Sequence, residues 1–207
     1  MTAGLVERPL VIGLFWSLFT GETELAMGVS VFFELFWLDA IPAGTYIPPL
    51  LGASTFAALA LTSWFGLTTP SQALLPILLA MPLAFLGVRV EGWLRHWHNR
   101  HYNRLLNWSR SGADGEAPEG LVLRSVAGNL LACWAFGVVS MLALAVVLAG
   151  VLRILPGAWL SALELSWPML WLSASLGGLL ALRLRRAYAL LAVGCAVAMF
   201  AVLAQAW

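Results

Sequence analysis

The sequence predicts an all-α integral membrane protein, a multi-span helical bundle with discontinuous or re-entrant segments near its N-terminus. Of its 207 residues, 61% are hydrophobic and only 10% are charged, whereas a soluble domain carries about 25% charged residues. The mean hydropathy is +0.89. Apolar runs of helix length recur along the chain, and prolines and glycines interrupt the first of them. We therefore treat residues 1–207 as a single membrane domain, multi-pass in the inner or plasma membrane of the cell.

The N-terminal part, residues 10–90, predicts broken helices. Leu10 to Phe19 is apolar, but as a helix it covers about 15 Å, half of the hydrocarbon thickness. It is therefore a half-helix, a re-entrant segment, or the end of a span that starts in the polar N-terminus. Leu25 to Ile47 is long enough to cross, but Pro42 and Gly44 argue against an unbroken helix. Irregular backbone at this depth is tolerated only where protein or water covers it.

Two more helices and a polar arm follow. Leu50 to Leu67 predicts a helix, and Ser71 to Val90 predicts another, kinked by its two prolines. Residues 91–120 predict a cytoplasmic amphipathic arm that lies on a membrane surface and ends in the solvated loop SGADGEAPEG. Its apolar positions recur every three to four residues: Val90, Leu94, Trp97, His101, Leu105 and Trp108.

The C-terminal part, residues 121–207, predicts three transmembrane helices. Two arginine clusters, Arg89 to Arg124 and Arg183 to Arg186, are separated by two of these helices, so they lie on the same side. The positive-inside rule makes that side the cytoplasm and places the C-terminus outside. The predicted spans are Val126 to Leu152, Ala158 to Leu182 and Ala187 to Trp207.

Acidic residues inside the apolar runs are the first candidates for a binding site. A carboxylate at bilayer depth costs about 2.5–3.5 kcal/mol on insertion scales, yet Glu34 and Asp39 share one run. On a regular helix they point about 140° apart. If the helix unwinds near residues 40–44, both line one cavity, and Glu164 from another span joins them. Such a site suits a hydroxylated solute or a proton. The structural alternative is that each acid is a hydrogen-bonded tie between helices.

Glu22 and Glu24 stand at the mouth of the same run and complete the substrate-binding candidates. Their alternative role is to begin a helix, because acidic side chains are favourable near a helix N-terminus, or to lie in water.

The sequence predicts no catalytic residue, no cofactor and no metal site. Of His96, His98 and His101, only the last two have helical spacing, and no carboxylate or cysteine cluster joins them. No nucleophile elbow, phosphate-binding loop, dinucleotide fingerprint or zinc signature is present. Cys133 and Cys195 lie in apolar runs and suit core positions. The formal net charge of +1 predicts no nucleic-acid partner, and we expect membrane lipid around the chain.

The stretch RPLVIGL at Arg8 to Leu14, followed by TGETELAMGVSVFFELFWLDAIPAGTYIPP, resembles the membrane component C (IIC) of sugar phosphotransferase-system (PTS) permeases of the mannose/fructose/sorbose type. That family opens with a similar RPL motif, a turn with Gly and an acid, and a small-residue run. An acid-containing "LEL-W-LG" block follows, onto which Glu34 to Leu38 falls, and then a Pro/Gly-rich break. Leu78 to Arg104 and the Arg-Ala-Tyr at Arg186 to Tyr188 are also similar, and the match is most specific up to about Arg110.

The resemblance implies a subunit that forms part of the path for sugar uptake coupled to phosphorylation. It implies a second membrane component, D (IID), and cytosolic components A and B (IIA and IIB), which relay phosphate on their own histidines. It further implies a hexose-class sugar, an oligomer, no phosphorylated residue on this chain, and Glu34 as the pocket or structural acid. Leu50 stands where the family often has Asp, and Asp39 stands where it often has Gly, so the sugar stays open.

Two other functions remain compatible with the residues. The chain is then either a non-transporting or regulatory membrane partner derived from such a permease, which Leu50 favours, or an unrelated proton-coupled carrier. The carrier would use Glu34, Asp39 and Glu164.

Overall fold

The computed structural model describes residues 7–38, 49–110, 118–155 and 163–181, together with residues 189 and 193. Within these ranges the chain forms six α-helices and no β-strand. Four are short and two are long. The helices are α1 Pro9–Thr20, α2 Thr23–Phe36, α3 Leu51–Trp64, α4 Pro70–Arg110, α5 Pro118–Ile154 and α6 Trp167–Ala181.

Helices α1 and α2 form an antiparallel hairpin. Pro9 occupies the first turn of α1, where its missing N–H would have no partner in any case. Gly21 ends the helix in the left-handed region (φ 77°), and its N–H donates to the carbonyl of Ser17 at 2.9 Å. The two backbones then pack closely, because Gly13 leaves room for the side chain of Ser30.

Helix α3 lies beside α1 and runs in the same direction. Trp16 meets Phe56 edge-on, with ring centroids 5.4 Å apart. A turn at Gly66 (φ 65°) returns the chain into α4, which runs antiparallel to α3. At the start of α3 the N–H of Leu50 donates to the carbonyl of Ala84 at 3.0 Å. Buried apolar residues of α2, α3, α4 and α6 form the main core.

Helices α4 and α5 form a second, longer hairpin. α4 has 41 residues, or about 60 Å, and α5 has 37. Beyond the bundle the ring of Trp97 lies on Gly128, and Nε2 of His98 lies 3.5 Å from the carbonyl oxygen of Ser125. Parts of these two helices, Pro70–Arg100 and Val122–Ile154, are long and apolar enough to cross a membrane.

Helix α6 closes the bundle against α2. Nε1 of Trp171 donates to the carbonyl of Gly28 at 3.0 Å. The ring of Trp167 occupies the space that a side chain at position 28 would need. Near the end of α6, Gly178 lies so close to the carbonyl oxygen of Leu35 that an added Cβ would stand 2.6 Å from it.

The bundle therefore has two ends, which we name after the residues found there. At the Glu22 end lie the turns at Gly21 and Gly66, joined by a hydrogen bond from Oγ of Ser63 to Oε2 of Glu22 at 3.3 Å. At the Arg8 end α1 begins and α2 ends. α4 continues past the Arg8 end as a projecting arm.

The all-α prediction holds for the described residues, but the limits of the N-terminal helices differ from the predicted ones. α2 ends at Phe36, so Leu25 to Ile47 is not one helix. The predicted boundary between Val90 and Glu91 is wrong, because α4 continues unbroken across it into the arm. Within the arm the ring of Trp97 packs on Gly128 of α5.

Of the three helices predicted in the C-terminal part, the first agrees with the structure and the second does not. Val126 to Leu152 lies within α5, which also includes residues 118–120 of the predicted loop. Ala158 to Leu182 is not a single helix, since residues 163–166 are irregular and α6 has only 15 residues. The rest of the loop, residues 111–117, lies outside the described residues, as do Arg183 to Arg186. Of the last predicted span, only residues 189 and 193 are described.

Candidate functional site

The strongest polar feature is an ion pair between the start of α1 and the last turn of α2. Arg8 immediately precedes α1, and Glu34 lies in the last turn of α2. Nη1 of Arg8 donates to Oε1 of Glu34 at 3.1 Å. The side chains are 38% and 19% exposed, respectively. The pair therefore lies at the edge of the apolar bundle, where water screens it less than on an open surface.

The pairing follows from how the hairpin is built. Arg8 and Glu34 each lie thirteen residues from Gly21. Antiparallel helices of equal rise bring such residues to the same level. Each charge also faces a favourable helix end, since Glu34 lies near the N-terminus of α1 and Arg8 near the C-terminus of α2.

The second carboxylate oxygen of Glu34 is an open acceptor. Oε2 is buried and has no hydrogen-bond partner among the described residues. A buried acceptor left in this state costs about 1–3 kcal/mol, and more when it is charged. The carboxylate is thus held on one side by Arg8 and lacks a donor on the other. A hydroxyl group or a proton would supply that donor.

One residue that sequence reasoning missed belongs to the same face. Ser30 lies one turn before Glu34, and its Oγ is likewise buried without a partner in the described part of the chain. An added Cβ at Gly13 would overlap this oxygen. The Ser30 hydroxyl is therefore enclosed between the two helices, whereas Glu34 reaches the open end. The sequence signal was the spacing of four from Glu34.

Glu22 and Glu24 lie at the opposite end of α2 and are exposed. Twelve residues separate Glu22 from Glu34, or about 18 Å of helix. Glu22 takes part in a different contact: Nε1 of Trp16 donates to Oγ of Ser63 at 3.1 Å, and Ser63 in turn donates to Glu22. The structure therefore does not bring either acid to Glu34.

Glu164 is also exposed and also lies at the Glu22 end. Its segment is tied to the start of α4, because the Ser71 hydroxyl donates to the carbonyl of Leu163 and the N–H of Leu165 donates to Ser71 Oγ at 3.2 Å. Ser71 precedes Ala84, which contacts the start of α3 at the Arg8 end, by about 20 Å of helix. The expectation that Glu164 joins Glu34 is therefore wrong. Asp39 lies outside the described residues.

The structure describes the side chains of two of the three histidines of the arm, His96 and His98. His96 is exposed, and His98 faces the backbone of α5. Among the described residues no group of three His, Cys, Asp or Glu side chains is placed to hold a metal ion.

Comparison of the chain with protein-family models, with curated proteins and with solved structures gives no match.

Proposed function

We propose that the chain is the membrane component C of a sugar phosphotransferase-system permease of the mannose/fructose/sorbose type. Its role is to form part of the path for a hexose-class sugar whose uptake is coupled to phosphorylation. One observation carries the proposal. The RPL motif and the acid-containing block, the two separate parts of the sequence that carry the resemblance, meet in space through Arg8 and Glu34.

The geometry at Glu34 suits a sugar hydroxyl. A carboxylate accepts hydrogen bonds from hydroxyl groups, and bonds to a charged acceptor are about twice as strong as neutral ones. Arg8 fixes one oxygen and so orients the other, Oε2, which has no donor in the described structure. In this proposal a hydroxyl of the sugar donates to Oε2.

The short helices support a path through the membrane. Helices α1, α2 and α3 have 12 to 14 residues, or about 18–21 Å, and a hydrocarbon core is about 30 Å thick. In this proposal they end within the membrane beside the longer α4 and α5. Helix ends at this depth are where transporters bind polar solutes.

The charges of the arm orient the chain. Arg89, Arg95 and Arg100 follow the apolar part of α4 beyond the Arg8 end. By the positive-inside rule that end faces the cytoplasm. The hairpin of α1 and α2 then enters and leaves from the cytoplasmic side, and Glu34 lies where a sugar would meet cytosolic components A and B. Component D would supply the remainder of the path.

Uptake measurements test the role of Glu34. We expect Glu34→Gln, co-expressed with components D, A and B, to lower uptake of labelled mannose, fructose or sorbose about 10- to 100-fold per molecule in the membrane, since a charged hydrogen bond is worth about 1.5–3 kcal/mol. Glu24→Gln is the matched control. It removes the same charge from the exposed end of the same helix, and its uptake should stay at the wild-type level.

A purely structural ion pair gives a different pattern. In that case Arg8→Gln and Glu34→Gln lower the amount of protein in the membrane equally, and uptake per molecule stays normal for both. That result would remove Glu34 from the sugar site. A stable complex with component D that neither binds nor transports sugar would instead support the non-transporting partner.

A further inference from the structure

The arm of α4 has a packed face and a wide exposed face. Leu94 is 5% exposed, and Trp97 lies on Gly128, so these side chains face α5. A second row, spaced alternately by four and three residues, is exposed along the helix. It consists of Arg89, Trp93, His96, Arg100 and Asn103, and we call it the arm row.

The arm row carries positive charge that no described acid neutralises. Arg95, which lies off the row, is paired with Glu91 through Nη2 and Oε1 at 2.6 Å. The ion pairs found within the described ranges include neither Arg89 nor Arg100. Between these two guanidinium groups stands the indole of Trp93, which is 64% exposed. An aromatic side chain between unpaired arginines is typical of the boundary between lipid and water.

The level of the arm row along the hairpin fits such a boundary. On α4 the apolar run ends at Val88 and Arg89 is the first charge. On α5 the apolar run starts at Val126, beside Ser125, whose carbonyl faces His98. The two apolar edges are thus offset by about 12 Å along α4. The part of the arm row from Arg89 to His96 occupies the interval between them, where headgroups would meet the hairpin, and Arg100 follows just beyond it.

The direction in which helix side chains lean brings Arg100, near the far end of the arm row, closer to the boundary of the apolar segment. Side chains on an α-helix lean toward its N-terminus, which for α4 lies in the bundle. Arg100 therefore leans back toward the apolar segment. A guanidinium binds phosphate oxygens with two parallel hydrogen bonds, which favours it over a point charge for this contact.

We propose that the arm row binds the phosphate headgroups of anionic phospholipids of the phosphatidylglycerol class. About 16 Å of helix divides Arg89 from Arg100, so each contacts the phosphate of a separate lipid, and Trp93 lies at headgroup level between them. The selection is by charge, because a zwitterionic headgroup carries no net charge to attract two arginines. The inference depends on the placement of α4 and α5 in a membrane and does not depend on sugar transport.

Lipid selectivity of the full-length protein tests the proposal. The protein is reconstituted in phosphatidylcholine nanodiscs that hold spin-labelled phosphatidylglycerol or spin-labelled phosphatidylcholine, and the immobilised fraction of each label is measured. The wild type should immobilise more phosphatidylglycerol. Arg89→Gln/Arg100→Gln should lose that preference, by about fivefold for each arginine removed. Arg95→Gln, which removes an arginine that Glu91 already neutralises, should keep most of it.

Three further measurements show whether the preference depends on charge, whether the variants are folded, and whether the phosphate bound is that of a lipid. Arg89→Lys/Arg100→Lys retains both charges and should retain most of the preference. The helical circular dichroism of every variant should match the wild type, because the substituted positions are exposed. Equal immobilisation of both labels by the wild type would overturn the proposal, as would an unchanged preference in the double Gln variant. If inorganic phosphate displaced phosphatidylglycerol more than chloride at equal ionic strength, the row would be a soluble-phosphate site instead.

Discussion

Helices α2 and α5 are both built mainly from apolar residues, but they lie in opposite surroundings. Seven of the fourteen residues of α2 are buried against α1, α3, α4 and α6. In the apolar window of α5 only 6% is buried. The short helices therefore have their core within this chain, whereas α5 needs lipid or another subunit around it.

The glycines of the two regions show what this difference means. In the hairpin, an added Cβ at Gly13 would stand 2.6 Å from Cβ of Ser30 and 2.9 Å from the carbonyl oxygen of Ala26. On α5, nothing lies within 4 Å of the corresponding position at Gly137 or Gly150. A small residue sets the distance between backbones in the first region, whereas Gly137 and Gly150 have no packing role within the described part of the second. Close packing is also what encloses the polar atoms of Ser30 and Glu34.

The largest expected change in stability comes from placing the same substitution, Gly to Ala, in both regions. It tests whether the first region is closely packed and the second is not. Gly13→Ala forces α1 and α2 apart, and overpacking of this kind costs about 1–3 kcal/mol. Gly137→Ala meets open space and should stabilise its helix by about 0.5–1 kcal/mol, because alanine has the better helix propensity. The purified protein is unfolded by heat in detergent and monitored by circular dichroism. The midpoint temperature should fall for Gly13→Ala and should rise or stay unchanged for Gly137→Ala.

Equal shifts for Gly13→Ala and Gly137→Ala would contradict the close approach of α1 and α2. Gly13→Ser, which also adds a Cβ, should resemble Gly13→Ala if volume is the cause.

A smaller effect is expected where an irregular segment is tied to the bundle. Ser71 is 6% exposed and bonds both Leu163 and Leu165. Ser71→Ala removes both bonds, although the N–H of Leu165 still donates to the carbonyl of Leu163 at 2.7 Å. The loss should destabilise the protein by about 0.5–1.5 kcal/mol, the net contribution of a typical hydrogen bond. The control is Ser173→Ala, whose exposed hydroxyl bonds only the carbonyl of Leu170 in its own helix. Unfolding midpoints that coincide for the two variants would show that Ser71 does not hold the segment.

The limits of a helix were predictable from the sequence where a proline or a glycine marks them. Pro9 and Gly21 mark the two ends of α1, and Pro42 indicates that the run from Leu25 to Ile47 is not one helix. The end of α2 was not predictable, because apolar residues continue from Phe36 through Leu38 with no change in composition. The continuity of α4 was missed for the converse reason. Its composition changes sharply after Val90, but no proline interrupts the chain between Pro82 and the end of the helix.

The site was predictable only in part, because two of its members are far apart in the chain. Glu34 is conspicuous as an acid in an apolar run. Arg8 is twenty-six residues away, and its partnership with Glu34 requires the register of the hairpin. That register was accessible once Gly21 was taken as the turn, since both residues are equidistant from it. The separation of Glu164 from Glu34 depends on where Ser71 holds the segment before α6, which no local pattern encodes.

The smallest effect is expected where the long hairpin makes its few contacts. An added Cβ at Gly128 would overlap the ring of Trp97, which is a partly exposed side chain outside the main core. Gly128→Ala should therefore leave the unfolding midpoint almost unchanged while loosening the arm. Amide hydrogen exchange should rise several-fold within residues 89–100 and stay unchanged in α2 and α3, because an element with few buried contacts opens locally. Gly120→Ala is the control on the same helix, since nothing lies within 4 Å of Gly120. If exchange rose equally in α2, the arm and the bundle would be one cooperative unit and the contrast between the two regions would not hold.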